Sequence, residues 1–188
     1  MYHTSLANFT QVGYQKFCAP TEIFQKIRDF YNKNKDKEVF EGVDFVGNTM
    51  LNYWKIEQKS VAVYKPELEG GGLKFAEEIY DALFPIVTEW IEAYDLVPSS
   101  MVGIRIYKEG AILNPHVDHP DSAAAIYINV DQDPDANESW PLEVIGHDGI
   151  ARNITLDVGD MLLIESNNVI HGRPFALQGT HVSQEICF

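Results

Sequence analysis

His116 and Asp118 are the residues of this sequence whose types and spacing point most directly to chemistry. On an extended segment successive side chains point to opposite faces, so this imidazole and this carboxylate would share one face. His171 ends a later segment that is predicted to be a strand, and it is the candidate for a third group at the same point. Two imidazoles and one carboxylate are good ligands for a divalent metal ion. The sequence therefore predicts a metal site formed by His116, Asp118 and His171.

The ligand types favour one kind of metal site. Three ligands on one face of an octahedral ion leave three positions open, which is the arrangement found in non-haem Fe(II) oxygenases. Structural zinc sites fill four positions, usually with thiolates, whereas this sequence has two cysteines, Cys18 and Cys187, without CxxC spacing. A His-x-Asp triplet alone is a weak motif, and a His–Asp pair that stabilises a turn is the alternative interpretation.

Two segments in the first half of the chain have the apolar periodicity of amphipathic helices. The first begins at Thr21, a predicted N-cap, and ends in the polar stretch Asn32–Lys37. The second runs from about Leu73 to Tyr94, after a run of three glycines. Residues 50–64 are rich in β-branched and aromatic side chains, which indicates a strand. We expect the apolar stripes of both helices to form part of the core.

From Met101 onward, short apolar segments alternate with turn signals, which is typical of β-structure. The predicted strands are Val102–Tyr107, Ala124–Val130, Leu142–Ile145, Arg152–Leu156, Met161–Ile164, Val169–His171 and His181–Ile186. Gly146–Gly149 predicts a hairpin turn, and Gly159-Asp160 predicts another turn. Many short strands behind two helices predict a mainly β fold of the α+β class. We expect a double-stranded β-helix, or cupin-like jelly roll, packed by the N-terminal helices.

Length and charge restrict the class of protein. With 188 residues the chain suits a single domain, in which residues 1–99 supply helices and supporting strands and residues 100–188 form the jelly-roll core. A net charge of −14 repels phosphate backbones and anionic lipids, so neither nucleic acid nor membrane is an expected partner. The sequence shows no signal-like segment and no long apolar run, which predicts a soluble, cytoplasmic protein with buried, free thiols. The oligomeric state does not follow from these features.

Several short motifs follow one another through the second half of the chain. They are Tyr107 and Gly110 before Pro115-His116-Val117-Asp118, then Tyr127-Ile128-Asn129, Gly159-Asp160 before the apolar strand, His171-Gly172, and Gly179-Thr180-His181. In this order and spacing, residues 101–188 resemble the catalytic jelly roll of the Fe(II)/2-oxoglutarate-dependent dioxygenases, particularly the prolyl 4-hydroxylase-like branch. The first hundred residues carry no matching motif.

This resemblance implies an activity and its cofactors. Enzymes of this family bind Fe(II), here through His116, Asp118 and His171, and use 2-oxoglutarate and O₂ as co-substrates. They hydroxylate an unactivated C–H bond, and a carboxylate at Asp118 favours hydroxylation because related halogenases have a small residue there. The implied substrate is a protein side chain, with prolyl as one class, or a small molecule. The sequence does not separate these substrates.

The resemblance also implies a set of residues that bind 2-oxoglutarate. Its C5 carboxylate is commonly held by Lys or Arg about ten positions after the distal histidine, where this sequence has His181. An imidazole is a weaker anchor for a carboxylate than Lys or Arg. Tyr107 would donate its phenol to the same carboxylate, and Arg173 and Ser183 are further candidates by strand alternation. Arg105 shares the parity of Tyr107, and for both arginines a surface position is the alternative.

The remaining expectations concern other histidines and other functions. His119 should point away from the metal, and His147 lies in a predicted turn, where we expect it to be exposed. A metal-binding jelly-roll protein without turnover, acting as a sensor or structural component, is a second hypothesis, which His181 in place of a basic anchor favours. A cupin-type metal-assisted isomerase is a third, and it predicts activity without O₂.

Overall fold

The computed structural model describes residues 8–40, 59–93, 95–132 and 140–187. These residues form two α-helices, α1 (Thr21–Asn34) and α2 (Leu73–Ile91), and a short 3₁₀ turn at Lys35–Lys37. The strands, in chain order, are β1 (Tyr14–Cys18), β2 (Val39–Phe40), β3 (Lys59–Val61), β4 (Ser100–Tyr107), β5 (Leu113–His116), β6 (Ala125–Gln132), β7 (Leu142–Ile145), β8 (Ala151–Ile154), β9 (Asp160–Ile164), β10 (Ile170–Arg173) and β11 (His181–Cys187).

The strands of the described residues form two antiparallel sheets. The larger sheet has the order β1-β9-β6-β11-β4-β3-β2, and the smaller sheet has the order β5-β10-β7-β8. Strands from the first half of the chain lie at both ends of the larger sheet, where β1 pairs with β9 and β3 pairs with β4. The fold is therefore mostly β-structure with two helices, as the sequence predicts.

Helix α1 forms because its apolar residues recur on one face. Ile23, Phe24, Ile27, Phe30 and Tyr31 are all buried, as the periodicity predicts. The helix starts one residue earlier than expected, since Pro20 occupies the N-cap position and Thr21 is the first helical residue. The predicted N-cap at Thr21 is therefore wrong by one position.

Helix α2 begins after Gly72 and ends at Ile91, where Glu92 takes the left-handed conformation with φ 54°. A left-handed residue directly after the last turn is a common way for a helix to stop. The sequence places the end at about Tyr94, which lies outside the described residues. The face packed in the core carries Phe75, Ala76, Ile79, Leu83, Val87 and Ile91.

The core has two layers, one on each side of the larger sheet. Strand β6 shows the division, because Ile126 and Ile128 pack with the two helices whereas Ala125 and Tyr127 face the smaller sheet. The layer between the sheets consists of Ala125, Tyr127, Leu142, Val144, Leu156, Leu162, Ile164 and Val169. A strand buried on both faces must be almost wholly apolar, which explains the run of hydrophobic residues along β6.

All seven strands predicted after Met101 are present, with ends shifted by up to two residues. The turns at Gly149 and Gly159 are also confirmed, with φ of 73° and 94°. Strands β1, β2 and β5 were not predicted. Of the predicted segment 50–64, residues 59–61 form β3 and residues 50–58 lie outside the described ranges.

The sequence predicts that both cysteines are buried, free thiols. Cys18 is free but exposed at the end of β1, so its predicted burial is wrong. The side chain of Cys187 lies outside those that the structure describes. Within the described ranges, no helix combines the length and the apolar character that crossing a membrane requires.

Candidate metal centre

The side chains of His116, Asp118 and His171 converge at one point. Strands β5 and β10 pair antiparallel in the smaller sheet, with His116 directly opposite His171, and Asp118 follows β5 by two residues. One potential ligand atom from each of the three residues lies within 4.8 Å of the others. The Nε2 atoms of His116 and His171 are 3.5 and 3.8 Å from Asp118 Oδ1. The predicted convergence of these distant residues is therefore present.

Hydrogen bonds to the backbone orient both imidazoles. His116 Nδ1 donates to the carbonyl of Asn114 at 2.7 Å, and His171 Nδ1 donates to the carbonyl of Val169 at 2.9 Å. A neutral imidazole has a single N–H, so both Nε2 atoms present a lone pair towards Asp118. Fixing the tautomer through the other ring nitrogen is the usual support for a metal-binding histidine.

The carboxylate of Asp118 completes the set of ligand atoms. Burial raises its pKa, but the neighbouring imidazoles of His116 and His171 and the Ser166 hydroxyl together hold the pKa below its usual value. Asp118 is therefore ionised at neutral pH. Its Oδ2 atom is buried and has no hydrogen-bond partner among the described residues. A buried anionic oxygen without a partner is unfavourable unless a cation is bound nearby.

These three residues fit a divalent metal ion. Two neutral nitrogen ligands and one anionic oxygen ligand approach from one side, and the unsatisfied Asp118 Oδ2 is the kind of atom that a metal ion or its bound water would satisfy. A simple turn-stabilising His–Asp pair does not explain why His171, from another strand, joins the same cluster.

Tyr127 is a residue of the site to which the sequence analysis assigned no role. Its hydroxyl donates to Nε2 of His171 at 2.8 Å, and its ring lies beside the His171 ring in the layer between the sheets. The Tyr-x-Asn motif marks this strand, and the alternation of β6 could have placed Tyr127 on the inner face. Tyr127 therefore contacts the nitrogen that would bind metal.

Arg173 lies two residues after His171 and is buried, with 3% of its surface exposed. Its guanidinium stacks on the ring of Trp140, with Cζ 4.4 Å from the centroid, and Nη1 donates to the Trp140 carbonyl. Burial lowers the pKa of Arg173 to about 10, so it remains a cation at neutral pH. No carboxylate of the described residues forms an ion pair with it. The surface position considered for Arg173 is therefore wrong.

His181 lies beside this cation. Arg173 Nη2 donates to His181 Nε2 at 3.2 Å, because a guanidinium has donors only. Burial and the charge of Arg173 hold the pKa of His181 well below 6.5, so the ring is neutral. Position 181 thus carries an acceptor for the arginine, and the positive charge comes from strand β10.

The other residues considered for binding 2-oxoglutarate lie on the neighbouring strands β4 and β11. Tyr107 is buried opposite His181 on the neighbouring strand, with its ring 4.9 Å from that of Trp140. Burial is the larger effect on the pKa of Arg173, and the charges that Tyr107 and Tyr127 can carry oppose it. Ser183 pairs through its backbone with Arg105 and Asn129, and its side chain lies outside those described. Arg105 is partly buried on β4.

The two other histidines among the described residues, His119 and His147, differ in exposure. His119 is exposed, as predicted, and contacts Asp121 at 3.3 Å. His147 was expected to be exposed, which is wrong: its side chain is 9% exposed and its Nε2 lies 3.0 Å from Oε2 of the buried Glu165. The hairpin turn that contains His147 packs against residues 12–14, and this packing buries the imidazole.

Comparison with known proteins gives a likeness in structure. No protein-family model matches the sequence, and no curated protein sequence matches it significantly. A prolyl-4-hydroxylase of Pseudomonas putida superposes with a TM-score of 0.66 at 13% identity, covering 95% of this chain and 92% of that one. A Trichoplax adhaerens prolyl hydroxylase was solved with a peptide fragment of the hypoxia inducible factor oxygen degradation domain. It superposes with a TM-score of 0.69 at 13% identity, covering 94% of this chain and 83% of that one.

A third similar structure is the viral collagen prolyl hydroxylase of Paramecium bursaria Chlorella virus-1, solved as a 2-oxoglutarate complex. It has a TM-score of 0.57 at 11% identity and covers 93% of this chain and 94% of that one. At such identities the likeness establishes a shared fold. The predicted resemblance to the prolyl 4-hydroxylase-like branch of the Fe(II)/2-oxoglutarate-dependent dioxygenases is thus confirmed at the level of the fold.

Proposed function

We propose that this protein is an Fe(II)- and 2-oxoglutarate-dependent oxygenase that hydroxylates an unactivated C–H bond. One observation carries the proposal: His116, Asp118 and His171 direct two unprotonated nitrogens and an ionised carboxylate to one point. The fold shared with prolyl hydroxylases supports it. With it we propose that the two sheets are the two halves of a jelly roll and that residues 1–99 and 100–188 form one domain.

His116, Asp118 and His171 would hold the ferrous ion. Bound there, Fe(II) would supply the activation of O₂, with 2-oxoglutarate as the two-electron reductant, giving succinate, CO₂ and hydroxylated substrate. The chain itself supplies orientation, because the carbonyls of Asn114 and Val169 fix both imidazole rings before any ion is bound. Ligands fixed in advance lose little freedom on binding.

We assign the C5 carboxylate of 2-oxoglutarate to Arg173. This guanidinium is buried and cationic, and it has no carboxylate partner among the residues described. A buried arginine without an anion is unfavourable, and a ligand carboxylate would relieve this cost. His181 orients the guanidinium by accepting from Nη2, and the Trp140 ring covers one of its faces. Tyr107, whose ring lies 6.1 Å from that of His181, would add a phenol donor, and Ser183 remains a candidate for a hydroxyl donor.

This assignment weakens the case for a metal-binding protein without turnover. That hypothesis relied on His181 being a poor anchor, whereas a strong cation lies 3.2 Å from the same position. The aromatic rings of Tyr107 and Trp140 also shield this end of the site from water, which strengthens a charge pair there.

For the substrate we favour a residue in a peptide or protein, with prolyl as the first class to test. Two of the similar structures are named for action on protein chains, a collagen prolyl hydroxylase and a prolyl hydroxylase solved with a peptide. A small molecule is the alternative, because substrate-binding loops vary most within one fold.

The function is tested by turnover of the co-substrate. Purified protein with Fe(II), 2-oxoglutarate and air should release succinate, and proline-containing peptides should increase the release and gain one oxygen atom in mass. The His171→Ala variant and an anaerobic sample are the matched controls. Absence of succinate from the wild type at high co-substrate, with peptides and small molecules alike, would overturn the proposal.

A further inference from the structure

Two of the three proposed metal ligands depend on one short turn, residues 165–169, between β9 and β10. The N–H of Asp118 donates to the carbonyl of Ser166 at 2.7 Å, and the His171 ring donates to the carbonyl of Val169 at 2.9 Å. The turn is closed by its own hydrogen bonds, in which the N–H groups of Asn168 and Val169 donate to the carbonyl of Glu165. Its conformation therefore sets the positions of Asp118 and His171 together.

The same turn also contacts the segment that follows Asp118. The Ser166 hydroxyl donates to the carbonyl of Ser122 at 3.3 Å, and the Asn167 side-chain amide donates to the carbonyl of Pro120 at 3.3 Å. These contacts join two segments that are more than forty residues apart in sequence. A shift of the turn would therefore move the Asp118 segment with it.

On its other side the turn is held by Glu165, whose side chain is completely buried. Its carboxylate accepts four hydrogen bonds: from the N–H and the hydroxyl of Thr10, both at 2.7 Å, and from the Phe9 N–H and His147 Nε2, both at 3.0 Å. The Glu165 N–H in turn donates to the carbonyl of Gly13 at 2.9 Å. Residues 9–13 are thus fastened to the turn by a buried carboxylate.

The ionisation of Glu165 and the close packing of Gly13 both support this attachment of residues 9–13 to the turn. Burial raises the pKa of Glu165, but the Thr10 hydroxyl, the two backbone N–H groups and His147 lower it below its usual value, so the carboxylate is ionised. Gly13 has φ 84°, and a Cβ there would lie 2.4 Å from Val169 Cγ2 and 2.8 Å from His147 Nε2. The N-terminal segment therefore contacts both ends of the turn.

We propose that Glu165 and Thr10 are positioning residues for the metal centre, because they fix the turn that holds Asp118 and His171. This inference rests on the proposed metal site. Neither residue touches the ligands, and Thr10 is separated from Asp118 by more than a hundred positions in sequence. Nothing in the composition around Thr10 or Glu165 indicates such a role.

The test is metal affinity, measured anaerobically with Fe(II), and with Co(II) as a spectroscopic probe, without 2-oxoglutarate. Glu165→Gln retains the shape but loses the charge, and should raise the Kd by about tenfold. This is the lower end of the range for groups bonded directly to metal ligands, because Glu165 acts through the turn. Thr10→Val removes only the hydroxyl and should raise the Kd by roughly three- to tenfold, the effect of one hydrogen bond. Thr10→Ser keeps the hydroxyl and should retain wild-type affinity. The Co(II) absorption bands should shift in the first two variants.

Ile27→Val is the control for lost stability, because Ile27 is fully buried in α1 and belongs to the core layer away from the site. It should lower the melting temperature of the metal-free protein without changing the Kd. If Glu165→Gln does not fold, the comparison of the metal affinities of Thr10→Val and Thr10→Ser provides the test. The inference is overturned if these variants only lower the melting temperature and bind metal like the wild type. Absence of binding by the wild type would instead overturn the proposed function.

Discussion

The metal-binding end of the site and the end that would bind the C5 carboxylate are built in different ways. At the first, two ligands lie within three positions of each other and the third is directly opposite on the neighbouring strand. At the second, the cation comes from β10, its acceptor from β11 and its aromatic cover from Trp140 before β7. The first end is set by strand alternation and register, whereas the second depends on side chains that meet across the two sheets.

The largest expected effect is on the metal end. His171→Ala should abolish binding of Fe(II), because two of three ligands cannot hold the ion in the same geometry. Asp118→Ala should do the same, since it removes the only anionic ligand. Isothermal titration under anaerobic conditions measures this. Tight binding of Fe(II) by either variant would mean that the ion binds at a site other than His116, Asp118 and His171.

Arg173→Met tests the carboxylate end separately. Removing one partner of a buried charge pair typically costs about 2–5 kcal/mol, so the KM for 2-oxoglutarate should rise by roughly 30-fold or more. Fe(II) affinity without co-substrate should change little. Arg152→Met is the matched control, because Arg152 is a surface arginine whose side chain is 37% exposed and pairs with Asp148. An unchanged KM in Arg173→Met would remove the anchor assignment.

His181→Ala should have a smaller effect at the same end. The variant loses a neutral acceptor for Arg173 but retains the cation, so the KM should rise by about fivefold, the effect of one hydrogen bond. Steady-state succinate release at varied 2-oxoglutarate measures the change. If His181→Ala exceeded Arg173→Met, the imidazole itself would be the anchor.

Tyr127→Phe tests the metal end further, because the Tyr127 hydroxyl contacts His171. In the metal-free protein its hydroxyl donates to the nitrogen of His171 that metal must take, so removing it should tighten Co(II) binding about two- to tenfold without co-substrate. Titration with Co(II) against wild type measures this. Weaker binding in Tyr127→Phe would mean that the hydroxyl assists the ion instead of competing with it.

The smallest effect concerns stability in acid. The pKa of Glu165 is lower in the folded protein than its ordinary value of 4.5, so its contribution to stability is present above about pH 4.5 and is lost as the pH falls through the folded value. The melting temperature of Glu165→Gln should therefore differ most from wild type near neutral pH, and the two should approach each other in acid. Parallel melting curves across this range would contradict it.

The sequence predicted much of the sheet and the shared orientation of His116 and Asp118 because both depend on local periodicity, whereas His171 could only be named as a candidate from a later predicted strand. Alternation in residues 116–118 and the short apolar segments after Met101 are properties of neighbouring residues. The surface position considered for Arg173 and the exposure predicted for His147 were wrong, and the neutral state of His181 was not predicted at all. Each depends on which distant elements pack together, and a pattern of adjacent residues does not contain that information.

The central claim is that one ferrous ion binds between His116, Asp118 and His171 and accepts 2-oxoglutarate. Its most direct test is anaerobic titration of the wild type with Fe(II) and then 2-oxoglutarate, followed by the visible absorption of the resulting chelate. We expect one Fe(II) and one 2-oxoglutarate per chain, with no absorption in His171→Ala and a weaker affinity for 2-oxoglutarate in Arg173→Met. A wild-type protein that binds no Fe(II), or binds it equally well in His171→Ala, would contradict the account.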